Sequence, residues 1–243
     1  MMKNVVVYGD GIIGKLTAIA LSDYFNVYII SSNESKTANN NQDRYFSINL
    51  LSKFMFIKYG LWEDIHKNIS KGYNKIVTWH ESLNEDVIFK SSDISFDKLG
   101  YIIKEDTIKN SLDHKLSTIQ NIYLTNTIDC KIDDINVEFK IKSSYEKENL
   151  SNNKNFNFSK IDYDQKAIVL NLTCDLNNDQ DTAFQRFHTG EVQGLLPISS
   201  NQYNLIWSAK NSIIDKIKKL DDKKLIIILN KSLEDKVGKI THL

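Results

Sequence analysis

The stretch from Val5 to Ile30 constrains this chain more than any other. Val5-Val6-Val7-Tyr8 is a β-branched apolar run of the kind buried on both faces in a parallel sheet. It leads straight into G-D-G-I-I-G, with Gly9, Gly11 and Gly14 in GxGxxG spacing. A helical apolar pattern follows through Leu16, Ile19 and Ala20 to Phe25, and Asn26-Val27-Tyr28-Ile29-Ile30 reads as a second strand. A strand–turn–helix–strand unit with glycines at these places suits a pyrophosphate. Gly9 makes the tight turn, Gly11 admits backbone N–H groups to the anion, and Gly14 lets the helix close on the strand. The helix N-terminus, opening at Ile12 and Ile13, then faces the negative charge. The acid expected about 20 residues after the first glycine to hold a ribose hydroxyl is replaced by Ser31. Asp10, between the first two glycines, repels a phosphate unless its side chain turns outward.

Composition narrows the field. Lys plus Arg and Asp plus Glu are 31 each, so the formal charge is zero and no basic face marks a nucleic-acid partner. No apolar run approaches the roughly 18 residues of a membrane span, and the start carries no signal-peptide core. The chain reads as cytoplasmic. Cys130 and Cys174 fit no zinc or redox spacing, and the five histidines are scattered, so no metal site is expected and both thiols are expected reduced. The chain has 9 Gly and 1 Pro, where an average chain of this length carries about 17 Gly and about 12 Pro. Of the 31 basic residues only Arg44 and Arg186 are Arg. An Arg kept against such a bias suggests a geometric task that Lys cannot perform.

Further along, residues 32–42 form a polar loop, followed by Asp43-Arg44, then Ser47-Ile48-Asn49, and then Ile48, Leu51, Phe54, Met55 and Ile57 as a helix-like apolar face ending near Gly60-Leu61-Trp62. A second segment is Leu99-Gly100-Tyr101-Ile102-Ile103-Lys104-Glu105, entering a helix. A third runs Tyr163-Asp164-Gln165-Lys166-Ala167-Ile168-Val169, Thr182-Ala183-Phe184-Gln185-Arg186-Phe187, Gly190, Leu195-Leu196-Pro197-Ile198 and Ile206-Trp207-Ser208. This ordered series resembles the flavin-dependent aromatic hydroxylases of ubiquinone biosynthesis, which share their flavin fold with p-hydroxybenzoate hydroxylase. The resemblance runs from Val5 to Ile240.

The resemblance implies an α/β fold (α+β overall): an FAD-binding Rossmann-like domain at 1–75 and 101–145, interleaved with an antiparallel-sheet substrate domain at 76–100 and 155–243. Residues 146–157 read as a flexible loop. Gly9, Gly11, Ile12, Ile13, Gly14 and Ser31 are expected on FAD, with Arg44 reaching its phosphates or ribityl chain and Glu105 facing the same region. Arg186, Phe187, Leu196 and Pro197 are expected at an aromatic, polyprenylated substrate. NAD(P)H is the implied reductant and O2 the oxygen source. No motif places a general base. The family's D-G motif has no counterpart in residues 138–161, where only Ser143 and Ser144 resemble it. Its G-D-A-x-H segment lies past Leu243, so the resemblance implies a C-terminally truncated flavin site, completed by a separate chain. Two alternatives stay open: a non-catalytic relative acting as a binding or scaffold protein, and an NADP-binding reductase, suggested by Ser31-Ser32. Lys216–Lys224 reads as a solvated helix face or as a peripheral contact with an anionic membrane.

Overall fold

The computed structural model of the protein describes residues 2–31, 43–83, 85–126, 136–143, 161–175, 181–233 and 236–243. The polar run 32–42, the expected loop 146–157 and Cys130 lie outside them. In chain order the strands are β1 (Lys3–Tyr8), β2 (Phe25–Ser31), β3 (Tyr45–Asn49), β4 (Lys71–Tyr73), β5 (Lys75–His80), β6 (Val87–Lys90) and β7 (Gly100–Lys104). They continue with β8 (Ile122–Asn126), β9 (Val137–Lys142), β10 (Gln165–Cys174), β11 (Thr182–His188), β12 (Glu191–Pro197), β13 (Gln202–Lys210) and β14 (Ile240–His242). The helices are α1 (Ile12–Leu21), α2 (Leu50–Lys58), α3 (Trp62–His66), α4 (Glu105–Ser117), α5 (Asn211–Ile217) and α6 (Asp222–Leu233).

Two compact units emerge. The first comprises Met1–Arg44, Leu51–Asn68 and Lys104–Lys160. Its sheet has the order β8-β2-β1-β9, and β1 pairs parallel with both β2 and β9. Val5, Val6 and Val7 are fully buried, as a strand inside a doubly covered parallel sheet requires. Val5, Val7, Val27 and Ile29 pack with Ala18 of α1. An ion pair from Lys15 to Asp113 ties α1 to α4. Helix α4 has Glu105 and Asp106 in its first turn and His114 and Lys115 in its last, matching its dipole at both ends.

The second unit comprises Tyr45–Leu50, Ile69–Ile103 and Ile161–Leu243. A seven-stranded sheet of order β14-β10-β13-β12-β11-β5-β6 forms its body, with a three-stranded sheet β3-β7-β4 beside it. The large sheet is not wholly antiparallel as expected, because β11 and β5 run parallel. One face is covered: Val77, Phe184, Leu195, Leu205 and Trp207 pack with Ile214 and Ile217 of α5 and with Leu225, Leu229 and Leu233 of α6. At one end of the opposite face, Ile76, Ala183 and Leu196 pack on Tyr73 and Ile102 of the small sheet.

The unit boundaries differ from the expected ones. Residues 45–50, 69–75 and 101–103 fall in the second unit rather than the first. Ile48, counted from the sequence on a helix face, lies in β3, because Tyr45-Phe46-Ser47-Ile48 is an aromatic and β-branched run that extends before the helix begins.

Candidate functional site

The glycine turn between β1 and α1 has the geometry its spacing predicts. Gly9 adopts φ +108°, which a side chain rarely tolerates, and its N–H donates to the Ile30 carbonyl at 2.8 Å. The turn after β1 is thereby bonded to the C-terminal end of β2, where Ser31 stands in place of the ribose-binding acid. Gly11 is the N-cap of α1, with no side-chain cap, and a Cβ built there meets nothing within 4 Å. Gly14 is the reverse case: a Cβ there overlaps the Gly9 carbonyl oxygen and comes within 2.7 Å of Ser143 Oγ. Ile12 and Ile13 open the helix, Ile13 being largely exposed, and no acid lies in the first turn. The first N–H groups of a helix lack intrahelical partners, so this end offers them, and the positive dipole end, to an anion. Open space beside the Gly11 backbone, a tight packing contact at Gly14 and an uncapped helix start fit a pyrophosphate.

Ser143, which the sequence only faintly singles out, belongs to this turn. Its N–H donates to the Tyr8 carbonyl at 2.8 Å, and its Oγ donates to the carbonyls of Tyr8 (2.8 Å) and Gly9 (3.3 Å). It follows β9, so the parallel pairing of β9 with β1 brings it to the turn from 134 residues away. No local motif announces such a contact.

Arg44 and Glu105, both expected at the cofactor, are paired with each other. Arg44 Nη1 lies 3.3 Å from Glu105 Oε2, and the Glu105 N–H donates to the Arg44 carbonyl at 2.8 Å. Lys109 Nζ reaches the other carboxylate oxygen at 2.9 Å. The Glu105 side chain is mostly buried while that of Arg44 is 67% exposed. Two cations thus neutralise the acid, and Arg44 remains on the surface of the first unit.

In the second unit, strand alternation divides the four expected substrate residues. Arg186 pairs in register with Gln193 and Pro197 with Tyr203, and all four are buried on the helix-covered face. Arg186 donates from Nη2 to Glu81 Oε2 at 2.9 Å and from Nη1 to Gln193 Oε1 at 3.3 Å. His188 Nε2 meets the other Glu81 oxygen at 2.7 Å, and Gln193 Nε2 donates to Ser232 Oγ of α6 at 3.2 Å. Arg186 and Pro197 thus lie on the face away from Phe187 and Leu196, since side chains one residue apart along a strand point to opposite faces. Leu196 is on the opposite face but packs on the small sheet. Phe187, 40% exposed, remains on that face, with Thr78, Gln185, Val192, Ile206 and Ser208 in alternating register around it. His80, paired in register with Phe187, shares this face, and the surface is a mixture of apolar and polar side chains around one aromatic ring. Trp79 and Trp207, each 4% exposed, are core residues.

Four ionisable groups among the described residues are shifted by their surroundings, Asp221 being lowered chiefly by the hydrogen bond from the Lys224 N–H. Burial, with Asp175 adding to it, pushes the Cys174 thiol up to about 11. Burial raises the Asp181 carboxyl, but hydrogen bonds and charge from Lys98 and Lys71 outweigh it and hold the group below the usual range. The hydrogen bond from His114 lowers Asp64.

No protein-family model matches the chain. It is 24% identical over 277 residues to the mitochondrial ubiquinone biosynthesis monooxygenase COQ6 of Dictyostelium discoideum, covering 92% of this chain and 56% of that protein. Against the human COQ6 it is 22% identical over 260 residues, covering 93% and 55%. The chain spans about half the length of the curated relatives it matches. Among solved structures it is similar to PqsL, a probable FAD-dependent monooxygenase from Pseudomonas aeruginosa, with a TM-score of 0.65 and 11% identity over 100% of this chain and 73% of that one. It is also similar to p-nitrophenol 4-monooxygenase PnpA from Pseudomonas putida DLL-E4, with a TM-score of 0.67 and 12% identity over 100% and 65%. The fold is that of these FAD-dependent monooxygenases, and the resemblance to the ubiquinone-biosynthesis hydroxylases holds across the chain.

Proposed function

We propose that this chain is the flavin-cradling and substrate-sheet portion of an FAD-dependent monooxygenase that hydroxylates a polyprenyl phenol of ubiquinone biosynthesis. The observation that carries the reading is the β1–α1 turn, where Gly11 leaves open space at an uncapped helix start while Gly9 and Gly14 are required by the backbone itself. Gly9, Gly11, Ile12, Ile13 and Gly14 would hold the pyrophosphate through main-chain N–H groups, and Ser31 would meet the adenosine ribose. Ser143 keeps the turn in shape by bonding the two carbonyls before and at Gly9. The Arg44–Glu105 pair belongs to the same unit, and the planar fork of Arg44 is of the type that binds a phosphate. When bound, FAD would take electrons from NAD(P)H and pass one atom of O2 to the ring, chemistry that belongs to the cofactor. The protein's part is to orient the ring and exclude water, for which the surface around Phe187 has suitable composition. The reading places the chain in the cytoplasm with a peripheral membrane contact, where a polyprenylated ring would be met.

The test is titration of the purified chain with FAD, followed by quenching of flavin fluorescence. Saturable binding in the micromolar range supports the reading. Ser31 at the end of β2 favours a second one, a reductase using NADP, since a hydroxyl there does not repel a 2′-phosphate as an acid would. Tight NADPH binding with none for FAD would select it.

A further inference from the structure

We infer that β6, the edge strand of the large sheet, pairs with β6 of a second copy of this chain, the two strands running antiparallel about a two-fold axis at Ile88. Among the described residues β6 ends the seven-stranded order, with β5 on one side only. All four of its residues, Val87-Ile88-Phe89-Lys90, are exposed, Val87 at 56%, Ile88 at 46% and Phe89 at 51%. Sheet edges left in water ordinarily carry a proline, a bulge or an inward charge that stops another chain from adding a strand. Strand β6 has no proline, its register with β5 is unbroken from Val87 to Lys90, and its single charge stands at its end. An apolar edge without these protections is a template for a further strand.

Two hydrogen bonds show which main-chain groups face outward. Thr78 Oγ1 donates to the Val87 carbonyl at 3.1 Å, and the Ser91 N–H donates to the Asn74 carbonyl at 2.8 Å. Val87, Phe89 and Ser91 therefore turn their main chain toward β5, and by the alternation of an antiparallel ladder Asp86, Ile88 and Lys90 turn theirs away. Charge then selects the occupant. Glu85 and Asp86 precede the apolar Val87-Ile88-Phe89, and Lys90 follows it. In antiparallel pairing centred on Ile88, that residue lies opposite its own copy, Val87 opposite Phe89 and Asp86 opposite Lys90, each contact made twice by symmetry. The adjacent registers that keep the outward groups face to face leave Lys90 without an acid opposite, and in-register parallel pairing sets like charges together. Asp86 Oδ2 holds Lys236 of its own chain at 2.7 Å, which leaves Oδ1 for Lys90 of the second copy. The Lys90 N–H already donates to Asp93 Oδ2 at 3.1 Å, so the two strands would share about four main-chain bonds. A stable interface covers about 800 Å² on each partner, more than this strand presents. Leu83 and Ile94, 65% and 50% exposed on the segments entering and leaving β6, extend the apolar area.

The test is sedimentation velocity on the full chain across micromolar concentrations, where a reversible dimer is expected. Lys90→Glu sets acid against acid at both ends of the strand pair, and Asp86→Lys sets lysine against lysine. Each should weaken dimerisation about tenfold or more. Mixed together, the two variants should associate again, because every charged pair across the axis is then an acid and a lysine. Ile88→Pro removes the central outward N–H while leaving the bonds to β5, and should abolish the dimer. Ile227→Ser, at an apolar side chain 67% exposed on α6, should leave it unchanged. Ile88 and Lys90 are exposed, and circular dichroism checks that each variant keeps its fold. A monomer at every concentration, a dimer indifferent to both Lys90→Glu and Ile88→Pro, or charge variants that fail to associate on mixing overturns the proposal. An FAD titration that fails leaves the sedimentation result standing.

Discussion

Gly11 and Gly14 are three residues apart and are glycine for opposite reasons. A methyl group at Gly14 has nowhere to go, because the Gly9 carbonyl and Ser143 already occupy the space. Gly14→Ala should cost about 1–3 kcal/mol as overpacking, read as a lower midpoint in urea. At Gly11 a methyl meets open space, so Gly11→Ala should cost about 1 kcal/mol or less, chiefly as a poorer N-cap. The GxGxxG spacing made both positions legible, since each has a local reason. Ser143 was not, because its part depends on a strand pairing 134 residues long. Cys174 is a third residue whose environment sets its chemistry. With its thiol pushed up to about 11 by burial, almost no thiolate exists at neutral pH. Iodoacetamide should leave it unlabelled in the native protein and label it after urea unfolding, as peptide mass spectrometry would show.

Strand β11 carries a lesson at the scale of an element. Gln185-Arg186-Phe187 reads in sequence as one cluster, yet a period of two sends Arg186 under α6 and Phe187 to the other face. That division is implicit in any strand assignment, and a motif read as a string conceals it. Arg186→Ala should destabilise by about 1–3 kcal/mol, because it leaves the buried Gln193 Oε1 without its donor, whereas Glu81 is solvated and keeps His188. Phe187→Ala should cost less than 1 kcal/mol, its ring being 40% exposed, and both values are measurable by urea denaturation. The opening strand–helix–strand unit was legible because period and turn chemistry agree there. In β3 they do not: Ile48 continues the period of the helix behind it but belongs to the strand. Asp181 joins three segments of the second unit through Lys71 at 3.0 Å and through Lys98. Its carboxyl is held below the usual range in the folded state, so its contribution is present at neutral pH and is lost as pH falls below about 4. Asp181→Asn should lower stability at pH 7 by about 1 kcal/mol or less, since the group is partly solvated. The variant should also flatten the acid limb of the stability–pH curve.

For the whole molecule, the interleaving of an α/β unit with a sheet unit was legible, and the crossing points were not. The chain passes between units after residues 44, 50, 68, 103 and 160. Three crossings near 75, 100 and 155 were expected, because composition marks loops and not the brief excursion of β3. The relatives share this fold at 24% identity or less, which accounts for motifs surviving as scattered matches along an otherwise divergent chain. The central claim is that the β1–α1 turn holds FAD. It is tested most directly by comparing FAD affinity of the natural chain with that of Gly11→Val, with circular dichroism confirming that both are folded. The account predicts saturable micromolar binding by the first and affinity weakened about tenfold or more by a side chain projecting into the pyrophosphate cradle. Equal affinity in the two, or no binding by either, would contradict it.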